Sequence, residues 1–265
     1  MTLTCRAEAR GPKPEAQRCR PANLRYPAAV IGLVLSCEHA SWTLPPSIDL
    51  GVPEDVLRGQ ASWDPGAYEI AAALGEELGL PVHTGAFSRM WVDLNRAPDH
   101  PDVIPRTSYG APVPGNAMLT AGDKAARLAQ YHAPYWDAVR RDVRARLQSI
   151  GTCLHVSSHS FDPALDPARR TFDVGVLYEP ASELEADLAN RLLFALRAAG
   201  LDVRANQPYR GNEPALVTSL RTELAGQRYA GIEIETSHAV VGAPGGCARV
   251  AAALAAVLVE LRGDA

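Results

Sequence analysis

The sequence predicts an α/β fold, a single mixed β-sheet flanked by helices. From Tyr26 onward, short apolar runs alternate with helical patterns, as expected when helices cover a sheet. The 265 residues are 47% hydrophobic, enough to bury a large core. No linker divides the chain and no internal repeat is present, so residues 26–265 are expected to form one domain behind a loose basic extension at 1–25.

The first strand is expected at 29–36, an apolar run that stops at Cys37, Glu38 and His39. A helix at 65–78 follows, with Asp64 as N-cap, Pro65 at the first helical position and Gly79 as a left-handed terminator. Short apolar runs predict strands at 81–85 and 91–94. The stretch from Arg96 to Asn116 is rich in proline and has little periodicity, which marks a functional loop or lid. A long helix is expected at 123–148, kinked or split by Pro134. Strands at 153–158 and 173–178 come next, then a helix at 182–199 ended by Gly200, and a strand at 202–205. A helix at 214–225, a strand at 229–235 and a helix at 247–262 complete the expected order.

Composition excludes several classes of function. A net charge of −4 with scattered arginines leaves no footprint for nucleic acid. The longest apolar stretch, Ala28 to Cys37, is about half the length a membrane-spanning helix needs. Five widely spaced cysteines without a C-x-x-C pair argue against a disulfide scaffold or a thiolate zinc cluster, and for a reducing, cytoplasmic setting. The first 25 residues lack the apolar segment of a secretory signal.

Polar residues collect where the apolar strands stop, the edge at which open α/β sheets bind ligands. His39 follows the first strand and His159 follows CLHVSS. Glu233 and Glu235 share one face of YAGIEIE, where buried carboxylates need a cation or donors to compensate them. Two histidines and an acidic strand end at one edge point to a metal hydrolase site. Asp64 is the candidate third ligand, with its competing reading as a helix cap, and Glu38 is the alternative. A His/Asp/His or His/Glu/His set leaves tetrahedral zinc one open position, as hydrolysis requires. Arg89 and Arg96, with Asn95 beside the second, make a candidate clamp for a substrate carboxylate, because a guanidinium binds that group through two parallel hydrogen bonds. The bland alternative is an Arg89–Asp93 salt bridge and a solvated Arg96. Tyr209 and Arg210, in the turn NQPYRG, are placed over the same edge.

Read in order, CEHAS, SWDPGA, SRMWVDLNRAP, PGN, SSHSF, DVGVLYEP, NQPYRG and GIEIE resemble the N-formylglutamate amidohydrolase family over about residues 31–235. The resemblance implies a fold like that of the zinc carboxypeptidases (phosphorylase/hydrolase-like), with a mixed sheet of about eight strands and one zinc at the strand ends. It also implies roles: His39 and His159 as metal ligands, Arg89, Asn95 and Arg96 for a carboxylate, Tyr209 beside the reacting group and Glu233 as catalytic base. In carboxypeptidases a Glu lies three residues after the first His, whereas Trp42 stands there in this chain, so Asp64 enters as a proposal. The implied reaction is hydrolysis of an acidic N-acyl amino acid, for the family namesake N-formyl-L-glutamate to formate and glutamate.

Overall fold

A computed structural model describes residues 30–262. The extension expected at 1–25 and the first residue of the strand expected at 29–36 lie outside the described residues. The chain begins with β1 (Gly32–Cys37), the one-turn α1 (Glu54–Leu57), α2 (Ala67–Leu78) and β2 (Val82–Thr84). A small hairpin, β3 (Thr107–Ser108) and β4 (Ala111–Pro112), precedes α3 (Ala121–Arg127), α4 (Ala133–Ile150) and β5 (Thr152–Phe161). The remaining elements are β6 (Val174–Leu177), α5 (Glu183–Ala198), β7 (Val203–Ala205), α6 (Leu216–Glu223), β8 (Arg228–Ser237), α7 (His238–Val241) and α8 (Gly246–Arg262).

Six strands form one sheet in the order β2-β1-β5-β8-β6-β7. Pairing is parallel from β2 through β8, while β6 runs antiparallel to β8 and parallel to β7, so the sheet is mixed. The resemblance implied about eight strands. Among the described residues the sheet has six, and β3 and β4 pair only with each other.

The two faces of the sheet differ in chemistry because side chains alternate along a strand. On one face Leu33, Leu35, Leu154, Val156, Ile232 and Ile234 pack with leucines of α5 and α8 and with Ile70 and Leu74 of α2 in one apolar core. Each side chain of this size contributes about 1.5–3 kcal/mol when buried. The opposite face is apolar only near its strand starts, where Val34, Cys153 and Tyr229 pack against α4 and α6. Toward the strand ends, the positions of the same phase are Ser36, His155, Ser157, His159, Glu233 and Glu235, all buried. A polar strip on a covered sheet must find internal partners, and it forms the floor of the site.

Two expectations are corrected and one is borne out. Residues 91–94 are not a strand: Trp91, Val92 and Leu94 follow turns, with Met90, Val103, Ile104 and Val113, in a separate apolar cluster. A run of four apolar-rich residues meets the demands of burial equally well as a packed turn. The helix expected at 123–148 is divided as Pro134 predicts, with a π-helical turn at Leu128–His132 between α3 and α4. Asp64 is not the N-cap of α2. That position is Gly66, whose left-handed φ of 80° delays the helix to Ala67 and moves Pro65 out of its first turn. The carboxylate of Asp64 is thereby left free to face the site.

Candidate metal centre

His39 stands just beyond β1, Asp64 ends the loop before α2, and His159 lies on β5. Backbone bonds from Asp64 N to His39 O (3.0 Å) and from Arg89 N to Ser62 O (3.0 Å) tie together the loops that carry them. Asp64 Oδ2 lies 3.3 Å from His39 Nδ1 and 2.8 Å from His159 Nδ1. Ligand atoms of the three residues all fall within 4.8 Å of one another, and all three side chains are buried. His39, Asp64 and His159 could therefore hold a metal ion.

The other nitrogen of each imidazole is also engaged. His39 Nε2 lies 2.8 Å from Asp93 Oδ1, and His159 Nε2 lies 3.1 Å from Glu38 Oε2. A carboxylate on the far ring nitrogen orients a ligating histidine and leaves the near nitrogen its lone pair. Glu38 thus faces the back of His159, while Asp64 lies between the two Nδ1 atoms. Gln60 Nε2 supports Asp64 Oδ1 at 3.2 Å.

Burial favours the neutral form of His39 and, with the charge of Arg89, lowers its pKa to about 4. Burial opposes charge on His159 as well, yet the hydrogen bond and charge of Glu38, with Glu233 and Glu235 behind it, prevail and raise its pKa to about 9. Burial also works against ionisation of Glu38, but His159 and Ser157 hold its pKa well below the usual carboxylate range. This concentration of negative charge is suited to a bound cation.

One cavity lies over the cluster, and its wall includes Arg89, Asn95, Arg96, Tyr209, Arg210, Glu233 and Glu235, whereas Glu38, the alternative ligand, is not part of it. Arg89 pairs with Asp64 Oδ1, not with Asp93, and its guanidinium lies 5.5 Å from the ring centroid of Tyr109. Asn95 donates from Nδ2 to Glu233 Oε1 at 3.0 Å and accepts at Oδ1 from Leu216 N at 2.9 Å, so it links β8 to the start of α6. Arg96 is partly exposed at the rim, where NH1 donates to Pro214 O. Glu235 Oε2 is buried without a hydrogen-bond partner, and burial, then the charge of Glu233, raises this carboxyl to about 7.

The turn NQPYRG is shaped by its first and last residues. Asn206 Oδ1 accepts from Tyr178 N and Gly211 N, both at 3.0 Å. A Cβ on Gly211 would meet Tyr178 N at 2.2 Å, so only glycine fits. That closure places Tyr209 and Arg210 at the cavity. Four contributors escaped the sequence reading. Asp93 was weighed only as an arginine partner, and Gln60 not at all. Tyr109 lies on the β3–β4 hairpin, inside the proline-rich stretch expected to be a functional loop, and its hydroxyl is 3.3 Å from that of Tyr209. Arg170 NH2 donates to Tyr209 Oη at 3.2 Å from a segment that carried no signal.

A polar strip on a mixed α/β sheet, a buried His–Asp–His cluster and a cavity walled by carboxylates and arginines make up a site able to hold a metal ion, of the kind that hydrolases use. Comparison with known proteins narrows this. The N-formylglutamate amidohydrolase family matches residues 31–241. A gene product of Agrobacterium tumefaciens of known structure is 30% identical, with 89% of this chain and 93% of that one covered and a TM-score of 0.76. The N-formylglutamate amidohydrolase from Ralstonia eutropha JMP134 shares the fold at 20% identity, with 89% and 94% covered and a TM-score of 0.69. No curated protein matches the chain. The chain belongs to the N-formylglutamate amidohydrolase family and is a hydrolase of that type.

Proposed function

We propose that this hydrolase is a zinc enzyme that cleaves the amide bond of an acidic N-acyl amino acid, with N-formyl-L-glutamate as the substrate and formate and glutamate as products. The observation that carries the reading is the convergence of His39 Nδ1, His159 Nδ1 and the Asp64 carboxylate, with Asp93 and Glu38 already on the far ring nitrogens. Two imidazoles and one carboxylate fit zinc with one position open. When bound there, zinc would supply a Lewis acid for the amide carbonyl and lower the pKa of water.

The chain's own groups do the rest. Asn95 holds Oε1 of Glu233, and Oε2 of Glu233 takes the proton from the attacking water. The same oxygen returns that proton to the leaving nitrogen as the carbon–nitrogen bond breaks, so the amine departs neutral, and the second proton of the water passes from the new carboxylic acid to Glu233 and then to the amine, leaving a carboxylate and an ammonium. Arg96 and Arg210 at the rim, with Arg89 deeper and Asn95 beside it, hold the substrate's carboxylates and fix the amide over the cluster. Tyr209, steadied by Tyr109 and Arg170, closes the acyl end. The partner is a small acidic molecule, and the setting proposed is cytoplasmic.

Metal analysis of the purified protein, combined with a screen of N-acyl amino acids for released carboxylate, tests the reading. Stoichiometric zinc is expected in the parent and lost in His39→Ala, Asp64→Asn and His159→Ala, with N-formyl-L-glutamate the best substrate. Full zinc in all three variants would overturn the ligand set. Loss in Glu38→Gln with retention in Asp64→Asn would move the third ligand to Glu38. A formyl group attached to a neutral amino acid cleaved equally well would overturn the substrate.

A further inference from the structure

Two short files of buried polar groups lie on this face of the sheet, and the one that reaches His159 begins on α4. Tyr229 Oη lies 3.0 Å from His155 Nδ1, and His155 Nε2 lies 2.7 Å from Ser36 Oγ. A second file starts at Tyr135, whose Oη donates to Glu38 Oε1 at 2.9 Å. The other oxygen of Glu38 accepts from Ser157 Oγ and faces His159 Nε2 at 3.1 Å, and Ser157 Oγ itself lies 2.9 Å from that nitrogen. Ser36, Glu38, His155, Ser157 and His159 are all buried.

The protons in each file can run in one consistent direction. Tyr229 donates to His155, whose Nε2–H donates to Ser36. In the second file the single Tyr135 proton goes to Glu38. The competing acceptor for that proton is His83 O at 3.1 Å. Taking it would leave a fully buried carboxylate oxygen without a donor, a larger loss than an under-satisfied carbonyl. With Oε1 held by Tyr135 and Oε2 shared by Ser157 and His159, the carboxylate has no freedom to turn away.

We infer that Tyr135, a residue of α4 outside the cavity wall, is a positioning residue for the proposed metal centre. Its hydroxyl fixes the Glu38 carboxylate, which with Ser157 holds the Nε2–H of His159 and so keeps Nδ1 turned toward the cluster with His39 and Asp64. The inference rests on the proposed metal site for its functional meaning, but the orientation of His159 can be read without metal. A carboxylate on the far nitrogen of a ligating histidine acts in this way generally, and losing such a partner weakens metal binding about 10- to 100-fold.

The test uses full-length Tyr135→Phe, Glu38→Gln and their combination, with Trp136→Phe as a control that loosens the same helix through its bond to Leu94 O. In metal-free protein labelled with ¹⁵N-histidine, a slowly exchanging Nε2–H signal from His159 is expected in the parent and in Trp136→Phe. It should be lost in Tyr135→Phe and Glu38→Gln. In zinc competition against a chromophoric chelator, Tyr135→Phe should bind about 10- to 100-fold more weakly, and the combined variant no more weakly than Glu38→Gln alone. Retention of both the signal and parent zinc affinity in Tyr135→Phe overturns the inference, as do additive losses in the combined variant. If zinc binding is indifferent to His159→Ala, the metal reading fails, and the NMR signal alone still decides whether Tyr135 orients His159. Should Tyr135→Phe not fold, Glu38→Gln reports on the same signal.

Discussion

Two carboxylates two residues apart on β8 have different surroundings, and that difference divides their chemistry. Glu233 is held by Asn95, whereas Glu235 keeps a buried oxygen without a partner and a pKa near 7. With Glu233 as the base, Glu233→Gln is expected to lower kcat by a factor of about 10² to 10⁴ while KM and metal content change little. Steady-state kinetics on both variants check this, and an inactive Glu235→Gln beside an active Glu233→Gln would reverse the assignment. His155 sets a second test. Burial, partly offset by Glu38, and with His83, Asp142 and His159 also acting on it, lowers its pKa to about 4. The unfolded chain takes up a proton at this residue below about pH 6.5, and the native state does so only near pH 4. Stability should therefore fall as pH drops through that window, at up to about 1.4 kcal/mol per pH unit for one group. Urea midpoints across pH 7.5 to 4 should decline less steeply in His155→Gln than in the parent.

Elements hold the site through a few buried polar joints as well as through apolar contact. Glu185 on α5 is fully buried and accepts from Arg221 Nε at 2.8 Å and NH2 at 3.0 Å on α6, from Gly231 N at 3.1 Å on β8 and from Glu179 N at 2.8 Å. One carboxylate thus joins two helices to the strand that carries Glu233. Removing its cation leaves a buried charge with only backbone donors, so Arg221→Leu is expected to cost about 3 kcal/mol of stability. Denaturant unfolding measures this, and Glu185→Gln in the same background should recover part of the loss. The strand and helix pattern behind these joints was readable in the sequence: six expected strands and every expected helix have counterparts within a few residues, with the long helix divided as Pro134 predicts. The seventh strand, at 91–94, was misread because four residues cannot distinguish a strand from a buried turn.

At the scale of the molecule, the site is assembled from segments distant along the chain and carries more negative charge than its two histidines offset. A cation bound only by the native state stabilises it by mass action. Zinc at a hundredfold excess over its Kd is expected to raise stability by about 2.7 kcal/mol, seen as a higher Tm that a chelator reverses. The same addition should leave His159→Ala unchanged. Substrate charge offers another whole-site test. Arg96→Lys should lower kcat/KM for an acidic N-acyl amino acid by about 1 to 3 kcal/mol. Amidating the substrate's α-carboxylate should cost the parent a similar amount and the variant little more, because one interaction cannot be lost twice. Additive losses would place Arg96 outside the clamp.

The sequence by itself determined the α/β class, the strand ends that carry His39, His159, Glu233 and Glu235, and the family, because alternation and motif order are local properties of the chain. It also brought out Arg89, Asn95, Arg96, Tyr209 and Arg210, all of which reach the one cavity. Tertiary structure alone decided which partner each group meets. His39 finds Asp64 across 25 residues and Asp93 across 54, and His159 finds Asp64 across 95. The cap reading of Asp64 failed because a left-handed Gly66 moved the helix start, and the Arg89–Asp93 pairing failed because Asp64 lay closer. No spacing rule encodes these contacts. They arise when β5 lies between β1 and β8 and the loops above them close, and the energy that selects each pair is that of leaving a buried polar group without one.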